Sequence, residues 1–585
     1  MRIAVSQINT NAGDFSDTID RISNGSYVAE KRGCDLLVFG ICTLTGPTVV
    51  DYSVRQDYLI DLFAALEELA ERVSCACLVP LVLPLDSPHP YGAALLRDGQ
   101  VELVSFDLVP SGPKKGSETE LRLRQREGLS RLELFGSKVG IAYTYAELEE
   151  WCDEPKVDVI LFLNSFSYAN DDPASAMGAA IEEGGYDRIA LDTDAWIVCA
   201  NSVGCYGNLV FCGASFVLAP DARLAASVGP FEENFIMAEV GAGAVLERGS
   251  ELSPELYDER FFTWQSVTLG IRDYVQKNYL MDVALLVDGS ISSMFLAVAA
   301  TDALGPTHVH VLLGLPKGSP RAEEAKRLVR ALRVHAQTAP IGNVDDEELA
   351  YDLAQAHLAA LARETNALPL CSLDKTALAL ELRHAQAEAG RFAPLGDLYR
   401  SSVINVTRMR NTISPILPSL TVLPEDVPEI EVIVDTWANE VLLNYIDSTL
   451  TLYIEFENSL SDVCLQMTDA DVAEAVLVTY RSHDARRVAL PECLALSSKA
   501  LVEAINPTGL DWFDAPRPNP DKRLQEAYSK LASVQSSSEL QGRRIREATP
   551  EELEEHRSEL MEAFELLRDL SMGSEGTWTD HFSEN

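Results

Sequence analysis

Five uninterrupted apolar residues, Val283-Ala284-Leu285-Leu286-Val287, run directly into the small-residue loop Asp288-Gly289-Ser290-Ile291-Ser292-Ser293 and then into a helical stretch through Ala303. An apolar run of that length bounded by turn residues reads as a buried strand, and its passage through a short loop into a helix belongs to an α/β arrangement. The same order aims backbone N–H groups and the positive end of a helix at one point, the geometry that holds a phosphate. A plain strand-to-helix turn with a capping serine has the same pattern, so both uses of this loop stay open. The amino-terminal half repeats the theme. Arg2-Ile3-Ala4-Val5-Ser6-Gln7-Ile8-Asn9 alternates as a half-buried strand, Gly13-Asp14 turns into a helical stretch to about Lys31, and Leu36-Leu37-Val38-Phe39 is a second, buried strand. Val139 to Tyr143, Val159 to Leu163 and Leu209 to Phe211 read as further strands.

A chain of 585 residues has room for two or three domains, and 47% hydrophobic residues supply their cores. No segment has the length of apolar residues that a membrane span needs, and the amino terminus carries no basic-then-apolar signal. The expected location is therefore the cytoplasm, with the eleven cysteines reduced. Cys75 and Cys77 share a strand face, but no pair of CxxC motifs exists. The nine histidines, His308 and His310 among them, are dispersed, so no metal site is expected. A formal charge of −43 argues against nucleic acid and anionic membranes as partners, and it disfavours polyanionic substrates as well.

Further motifs carry a resemblance. Phe39-Gly40-Ile41-Cys42-Thr43-Leu44-Thr45-Gly46-Pro47 follows the second strand. Tyr91 to Gly99 is a strand and turn ahead of Val109-Pro110, and Val139-Gly140-Ile141-Ala142-Tyr143 leads into Thr144-Tyr145-Ala146. Asn164-Ser165-Phe166-Ser167, Asn201-Ser202-Val203-Gly204, Leu209-Val210-Phe211 and Gly213 to Val217 come next, in that order. Together these segments resemble the nitrilase-like amidase domain of the glutamine-dependent NAD synthetase family. The resemblance implies a glutamate base, an oxyanion-binding lysine and a cysteine nucleophile at the places of Ile41, about Phe106 and Thr144. None of the three reacting groups is present. Lys114 and Lys115, in a Gly/Pro/Ser loop, are the nearest lysines, and Cys42 and Cys152 the nearest thiols, each expected to be a small buried hydrophobe. A threonine hydroxyl needs a base outright, unlike a thiol. Losing members of such a unit lowers rates roughly 10⁴-fold to 10⁶-fold, so amide hydrolysis is expected to be negligible.

The second half resembles the same family's ATP-dependent synthetase domain. Gly270-Ile271-Arg272-Asp273-Tyr274-Val275 matches its opening helix, and Gly390-Arg391-Phe392-Ala393-Pro394-Leu395-Gly396-Asp397-Leu398-Tyr399-Arg400-Ser401-Ser402-Val403 is the closest motif. Against the family's pyrophosphatase loop, Ser-Gly-Gly-x-Asp-Ser, this chain keeps Gly289 and Ser293 but has Asp288, Ser290 and Ser292 at the other places. A carboxylate about 5 Å from a phosphate opposes it by roughly 3 kcal/mol at an effective dielectric near 20, so Asp288 should weaken pyrophosphate binding about a hundredfold. Leu370-Cys371-Ser372-Leu373-Asp374-Lys375-Thr376-Ala377 keeps the motif lysine as Lys375 but lacks its glutamate, and the Gln-Ala-Arg motif falls on Ala350-Tyr351-Asp352. Pro418 to Leu423 replaces a further family motif, and Asp484-Ala485-Arg486-Arg487 echoes a basic run that contacts nucleotide phosphates.

The resemblance spans roughly residues 1 to 515. It implies an α/β protein: an α-β-β-α nitrilase-like sandwich over residues 1–245, a linker over 246–262, a doubly wound parallel-sheet synthetase-like domain over 263–515, and a helical acidic tail over 516–585. The tail carries a capping box at Thr549-Pro550-Glu551-Glu552 and an apolar stripe of Leu553, Leu560, Phe564, Leu567 and Leu570; the stripe docks on its own body or holds a partner chain. Three functions follow. The first is a non-catalytic scaffold or regulatory subunit, assembling with itself or with an active synthetase. The second is an ammonia-using NAD synthetase that holds ATP and Mg through Gly289, Ser290, Ser293 and Lys375. The third is a dinucleotide sensor without turnover.

Overall fold

The computed structural model describes residues 1–504 apart from 48–54, 84–89, 111–120, 127, 164–165, 316–317, 343, 345, 382–387, 418–420, 431, 433–436, 484–486 and 488–489. Lys114, Lys115, Asn164, Ser165 and the whole tail lie outside the described residues.

The alternation in the first strand has a direct cause in the layers that it separates. Two six-stranded sheets lie face to face. One runs Asn234–Glu239, Arg2–Gln7, Leu36–Phe39, Ala76–Val82, Tyr91–Arg97, Gln100–Val104, and the other Leu224–Ser227, Phe216–Leu218, Trp196–Cys199, Val159–Phe162, Ser137–Ala142, Ser130–Leu134. Ile3, Val5, Leu36, Val38 and Leu78 of the first meet Val139, Ile141, Val159, Leu161 and Val198 of the second in one core. The intervening residues Ala4, Leu37, Phe39 and Cys77 face outward, onto Ile19 and Ile22 of the helix Phe15–Lys31 and onto Leu62, Leu66 and Leu69 of the helix Gln56–Arg72. On the far side Ile160, Phe162 and Ile197 pack on Ile181 and Ile189 of the helices Met177–Glu182 and Tyr186–Thr193. The strand runs are therefore apolar on both faces, because each sheet is covered twice. This is the expected α-β-β-α sandwich.

The strand Val283–Val287 sits inside a parallel sheet ordered His335–Thr338, Val309–Leu313, Val283–Val287, Leu368–Pro369. The helix Ile291–Leu304 packs on one face, joined by Glu259–Lys277. On the other face Ala354, Leu358 and Leu361 of the helix Glu347–Thr365 cover Ala284, Leu286 and Leu312. Helices on both faces of a parallel sheet make the doubly wound arrangement. Beyond it the helices Asn439–Ile454, Leu460–Gln466 and Ala470–Ser482 enclose a separate apolar cluster with Leu378, Leu380 and Tyr399.

The stretch 246–262 contains a short 3-10 turn, Pro254–Tyr257, and its last residues already belong to the helix Glu259–Lys277. That helix packs on the hairpin Val203–Tyr206 and Leu209–Cys212 as well as on Ile291–Leu304. At its buried side Asp273 Oδ2 accepts hydrogen bonds from Asn9 Nδ2 at 2.7 Å and from the Cys205 backbone N–H at 2.8 Å. Lys277 Nζ lies 3.4 Å from the same carboxylate, donates to the Cys205 carbonyl at 2.9 Å and sits 3.8 Å from the Tyr206 ring centroid. Among the described residues no helix is long and apolar enough to cross a membrane.

Candidate functional site

The amidase positions are filled rather than empty. Ile41 precedes the helical turn Cys42–Thr45, is 1% exposed and packs with Cys42, Val82, Tyr206 and Phe211. Cys42 beside it is fully buried. Burial pushes its thiol up to about 12, although Ser202 and Lys277 oppose this, so it supplies no thiolate near neutrality. Phe106 is wholly buried, and its ring occupies the space above Gly92, where any Cβ would come within 2.4 Å of it. The phenyl ring and the glycine opposite it are matched.

Thr144, two residues past the strand Ser137–Ala142, has extended backbone (φ −127°, ψ 158°) and caps the helix Tyr145–Glu150. Its hydroxyl oxygen accepts the Glu147 N–H at 3.2 Å, and Glu147 Oε2 accepts the Thr144 N–H at 3.3 Å and the Tyr143 N–H at 2.7 Å. This reciprocal capping box gives the hydroxyl a structural task. Thr144→Ala is expected to lower stability by about 1 kcal/mol, read from a shifted urea midpoint at unchanged slope. Cys152 corrects an expectation. It is exposed rather than buried, and lies just beyond that helix, away from the strand end.

In the second half the loop after Val287 opens onto a cavity of about 620 Å³ at the carboxyl ends of the parallel strands. Gly289 and Ser290 line it. Gly289 has φ +96°, a conformation that glycine adopts without strain, and a side chain there would also press on Ser319 Oγ at 3.0 Å. Ser290 caps the helix Ile291–Leu304, its Oγ accepting the Ser293 N–H at 3.2 Å. Asp288 turns back on this loop: its Oδ1 accepts the Ser290 N–H at 2.9 Å and the Ser293 Oγ–H at 2.7 Å. Two donors of the loop thus already hold an anion, supplied by the chain itself.

The remaining cations of the cavity wall are committed in the same way. Arg321, 5% exposed, pairs with Asp426 through Nη1 at 2.7 Å and Nη2 at 2.5 Å. Arg400, 9% exposed, reaches Asp374 Oδ2 through Nε at 3.0 Å and Glu381 through Nη1 and Nη2 at 2.9 and 2.8 Å. Burial opposes the Arg400 charge, but Asp374 and Glu381 more than compensate and hold the guanidinium firmly protonated. Asp374 also caps the helix Lys375–Leu380 and accepts the Ser292 hydroxyl at 2.5 Å.

Lys375, expected at the phosphate site, is placed elsewhere. It is not part of the cavity wall. Its Nζ is fully buried and donates to Asp397 Oδ1 at 2.7 Å, Glu455 Oε1 at 2.5 Å, Ser497 Oγ at 3.0 Å and the Lys499 carbonyl at 2.9 Å. The structure therefore brings Gly289, Ser290 and Ser293 together and leaves Lys375 apart. Arg487, the described end of the basic run, is buried against Tyr480, 3.8 Å from its ring centroid, and Nη1 donates to the Tyr480 carbonyl at 2.7 Å. The wall residues Arg321, Glu381 and Asp426 carry no sequence signal; each matters through a partner well removed in the chain.

Tyr351, at the place of the absent Gln-Ala-Arg motif, lines the cavity and donates its hydroxyl hydrogen bond to the buried Glu388, which also accepts from Gln355 Nε2 at 2.9 Å. Burial, with a smaller contribution from Asp288, pushes the Glu388 carboxyl up to about 7. A carboxyl whose folded pKa exceeds its unfolded value of about 4.5 binds its proton more tightly in the native state. Its contribution to stability is full below pH 4.5 and is lost as the pH rises to 7, by at most ~1.4 kcal/mol per pH unit. Urea titrations of the wild type and Glu388→Gln between pH 4.5 and 8 are expected to diverge across that window. Among the described residues no cluster of three ligating side chains is placed to hold a metal ion.

Comparison with known proteins agrees with these layers. The carbon-nitrogen hydrolase family matches residues 176–246. The glutamine-dependent NAD(+) synthetase of Acinetobacter baylyi is 25% identical over 514 residues, 81% of this chain and 92% of that protein. The Thermotoga maritima enzyme of the same name is 24% identical over 579 residues, covering 88% and 97%. Among solved structures, a glutamine-dependent NAD(+) synthetase from Cytophaga hutchinsonii superposes with a TM-score of 0.65 at 13% identity, over 89% of this chain and 98% of that one. The Acinetobacter baumannii protein in complex with ADP gives 0.59 at 20% identity, over 86% and 99%.

Proposed function

The chain belongs to the glutamine-dependent NAD(+) synthetase family, and from that premise we propose that it is a non-catalytic member, acting in the cytoplasm as a scaffold or regulatory subunit that assembles with itself or with an active synthetase. The observation that carries this reading is the Asp288 carboxylate seated on the Ser290 and Ser293 donors. A triphosphate would have to displace a bonded anion and then lie beside it. Magnesium ATP does not fit the donors that remain, because both wall arginines already make paired contacts with carboxylates and the lysine is spent on Asp397 and Glu455. Glutamine hydrolysis fares no better with Ile41, Phe106 and Thr144 committed to packing and capping.

Two further parts of the reading rest on sequence. The division into residues 1–245, a 246–262 linker, 263–515 and a 516–585 tail is part of the proposal, as is the assembly. The cavity of about 620 Å³ is the one feature that favours a second reading, an ammonia-using synthetase with an inert amidase half. A single assay separates the two. Purified protein with magnesium ATP, deamido-NAD and either ammonia or glutamine is expected to form no NAD above background, and turnover with ammonia at an ordinary enzyme's rate would establish the second reading. Co-purification from the native host tests for the synthetase partner.

A further inference from the structure

Three thiols gather at one corner of the amino half. The strand Ala76–Val82 starts from a bend that holds Cys75. Cys75 and Cys77 both pack toward the helices Phe15–Lys31 and Gln56–Arg72, while Ala76 between them packs toward the second sheet. Cys34, 6% exposed, belongs to the same cluster. Cys77 is wholly buried, and its strand position is fixed between Leu37 on one side and Leu96 on the other. Cys75 lies outside that pairing and is half-buried.

The Cys77 thiol turns back toward Cys75, with Sγ 3.5 Å from the Cys75 carbonyl oxygen that accepts its weak hydrogen bond. The same thiol draws the Cys75 sulfur below the ordinary thiol value, against burial and the carboxylates of Glu30 and Asp35. Cys152, although exposed, is pushed up by burial and then by Asp192. A thiolate is the nucleophile, so Cys75 rather than Cys152 is the more reactive sulfur. Two residues of extended chain span about 6.7 Å. That is the upper end of the separation that a disulfide bridges, about 4.4–6.8 Å between Cα atoms, and the bend at Cys75 allows it to shorten.

We propose that Cys75 and Cys77 form a reversible oxidation site, at which a small uncharged hydroperoxide oxidises Cys75 and Cys77 resolves the product as a disulfide. The Cys75 thiolate attacks the O–O bond, an S–OH forms, and the hydroxide released takes up the proton that Cys75 gave to solvent. Cys77 keeps its own proton, held by the Cys75 sulfur and by burial, until it attacks the Cys75 sulfur. The S–O bond then breaks, and the departing hydroxide leaves with that proton as water. Two sulfurs lose two electrons in all, and the peroxide gains them. Glu30 and Asp35 beside Cys75 repel an anionic oxidant such as glutathione disulfide, which favours a neutral one. A transient, sensing disulfide suits a reducing compartment.

Brief treatment of the folded full chain with equimolar hydrogen peroxide, alkylation of the remaining thiols and peptide mass mapping test the proposal. The peptide holding Cys75 and Cys77 is expected to lose two hydrogens before Cys152 changes, and dithiothreitol to restore them. Cys75→Ser is expected to abolish this loss and Cys152→Ser to leave it intact. In Cys77→Ser the reaction is expected to stop at a sulfenic acid, captured by dimedone at residue 75. The wild-type map decides the matter alone if Cys77→Ser does not fold. First oxidation at Cys152, a bridge from Cys75 to Cys34, or oxidation of the pair only in urea-unfolded chain overturns the proposal. So does a faster reaction of Cys75 with glutathione disulfide than with peroxide.

Discussion

Lys375→Met is expected to lower the unfolding free energy by about 3–5 kcal/mol, the usual effect of removing one partner from a buried ion cluster. The ammonium is 0% exposed, and its two carboxylate partners, Asp397 and Glu455, are 0% and 1% exposed at their side chains. Burial alone would push Lys375 down, but these two carboxylates more than offset it and hold its pKa above the ordinary lysine value. Methionine fills a similar volume and leaves two anions facing each other without water. The loss is expected to be partly reversed by adding Glu455→Gln, which removes one stranded charge while its amide still accepts from Tyr399, now 2.9 Å from Glu455 Oε2. Urea denaturation of the three variants checks this, and a Lys375→Met protein as stable as the wild type would remove the lysine from any structural role. A group raised above its unfolded pKa contributes stability below that pKa and loses it as the pH climbs through the folded one. The Lys375 contribution is accordingly intact at neutral pH and fades only in strong alkali.

Asp288→Ser is expected to raise affinity for pyrophosphate and for magnesium ATP about a hundredfold. Two effects act together. The substitution deletes a negative charge about 5 Å or less from where a phosphate would sit, worth roughly 3 kcal/mol at an effective dielectric near 20. It also frees the Ser290 N–H and the Ser293 hydroxyl to turn to an external anion. Calorimetric titration of folded Asp288→Ser beside the wild type measures the difference. If the two proteins bind pyrophosphate equally poorly, the saturated arginines and the buried lysine, and not Asp288, are what close the site. The same comparison bears on descent: a gain from one substitution would mean that the loop keeps the shape of a phosphate cradle while its own side chain lies in it.

The layers of this protein were legible because they follow from local pattern. Alternation at Ile3, Ala4 and Val5 is visible in the sequence, and in the structure Ile3 and Val5 face the second sheet while Ala4 faces the helices. The strand, loop and helix from Val283 to Leu304 could be read for the same reason, since each residue's part depends on near neighbours. Thr144-Tyr145-Ala146-Glu147 carries its capping box in plain view as a threonine three residues before a glutamate. Asp374 ahead of Lys375 was equally readable as a helix cap. Pairings across the chain were not. Arg321 meets Asp426 across 105 positions and Lys375 meets Glu455 across 80, and nothing in the composition around either residue says which carboxylate the fold will deliver. Motif position had put Lys375 at a phosphate; tertiary structure turned it toward acids.

The meeting of Asn9, Cys205, Asp273 and Lys277 has a consequence for how such a molecule can change over time. One carboxylate on a carboxyl-half helix takes donors from two points of the amino half that are far apart in the chain, and the lysine one turn along returns a bond to the same hairpin. Were either half trimmed away, the other would expose to water the apolar surface that the two now share, and its polar groups would lose their present partners. Each half thus serves as the other's roof, which is a physical reason for the two to be inherited together whatever either one catalyses.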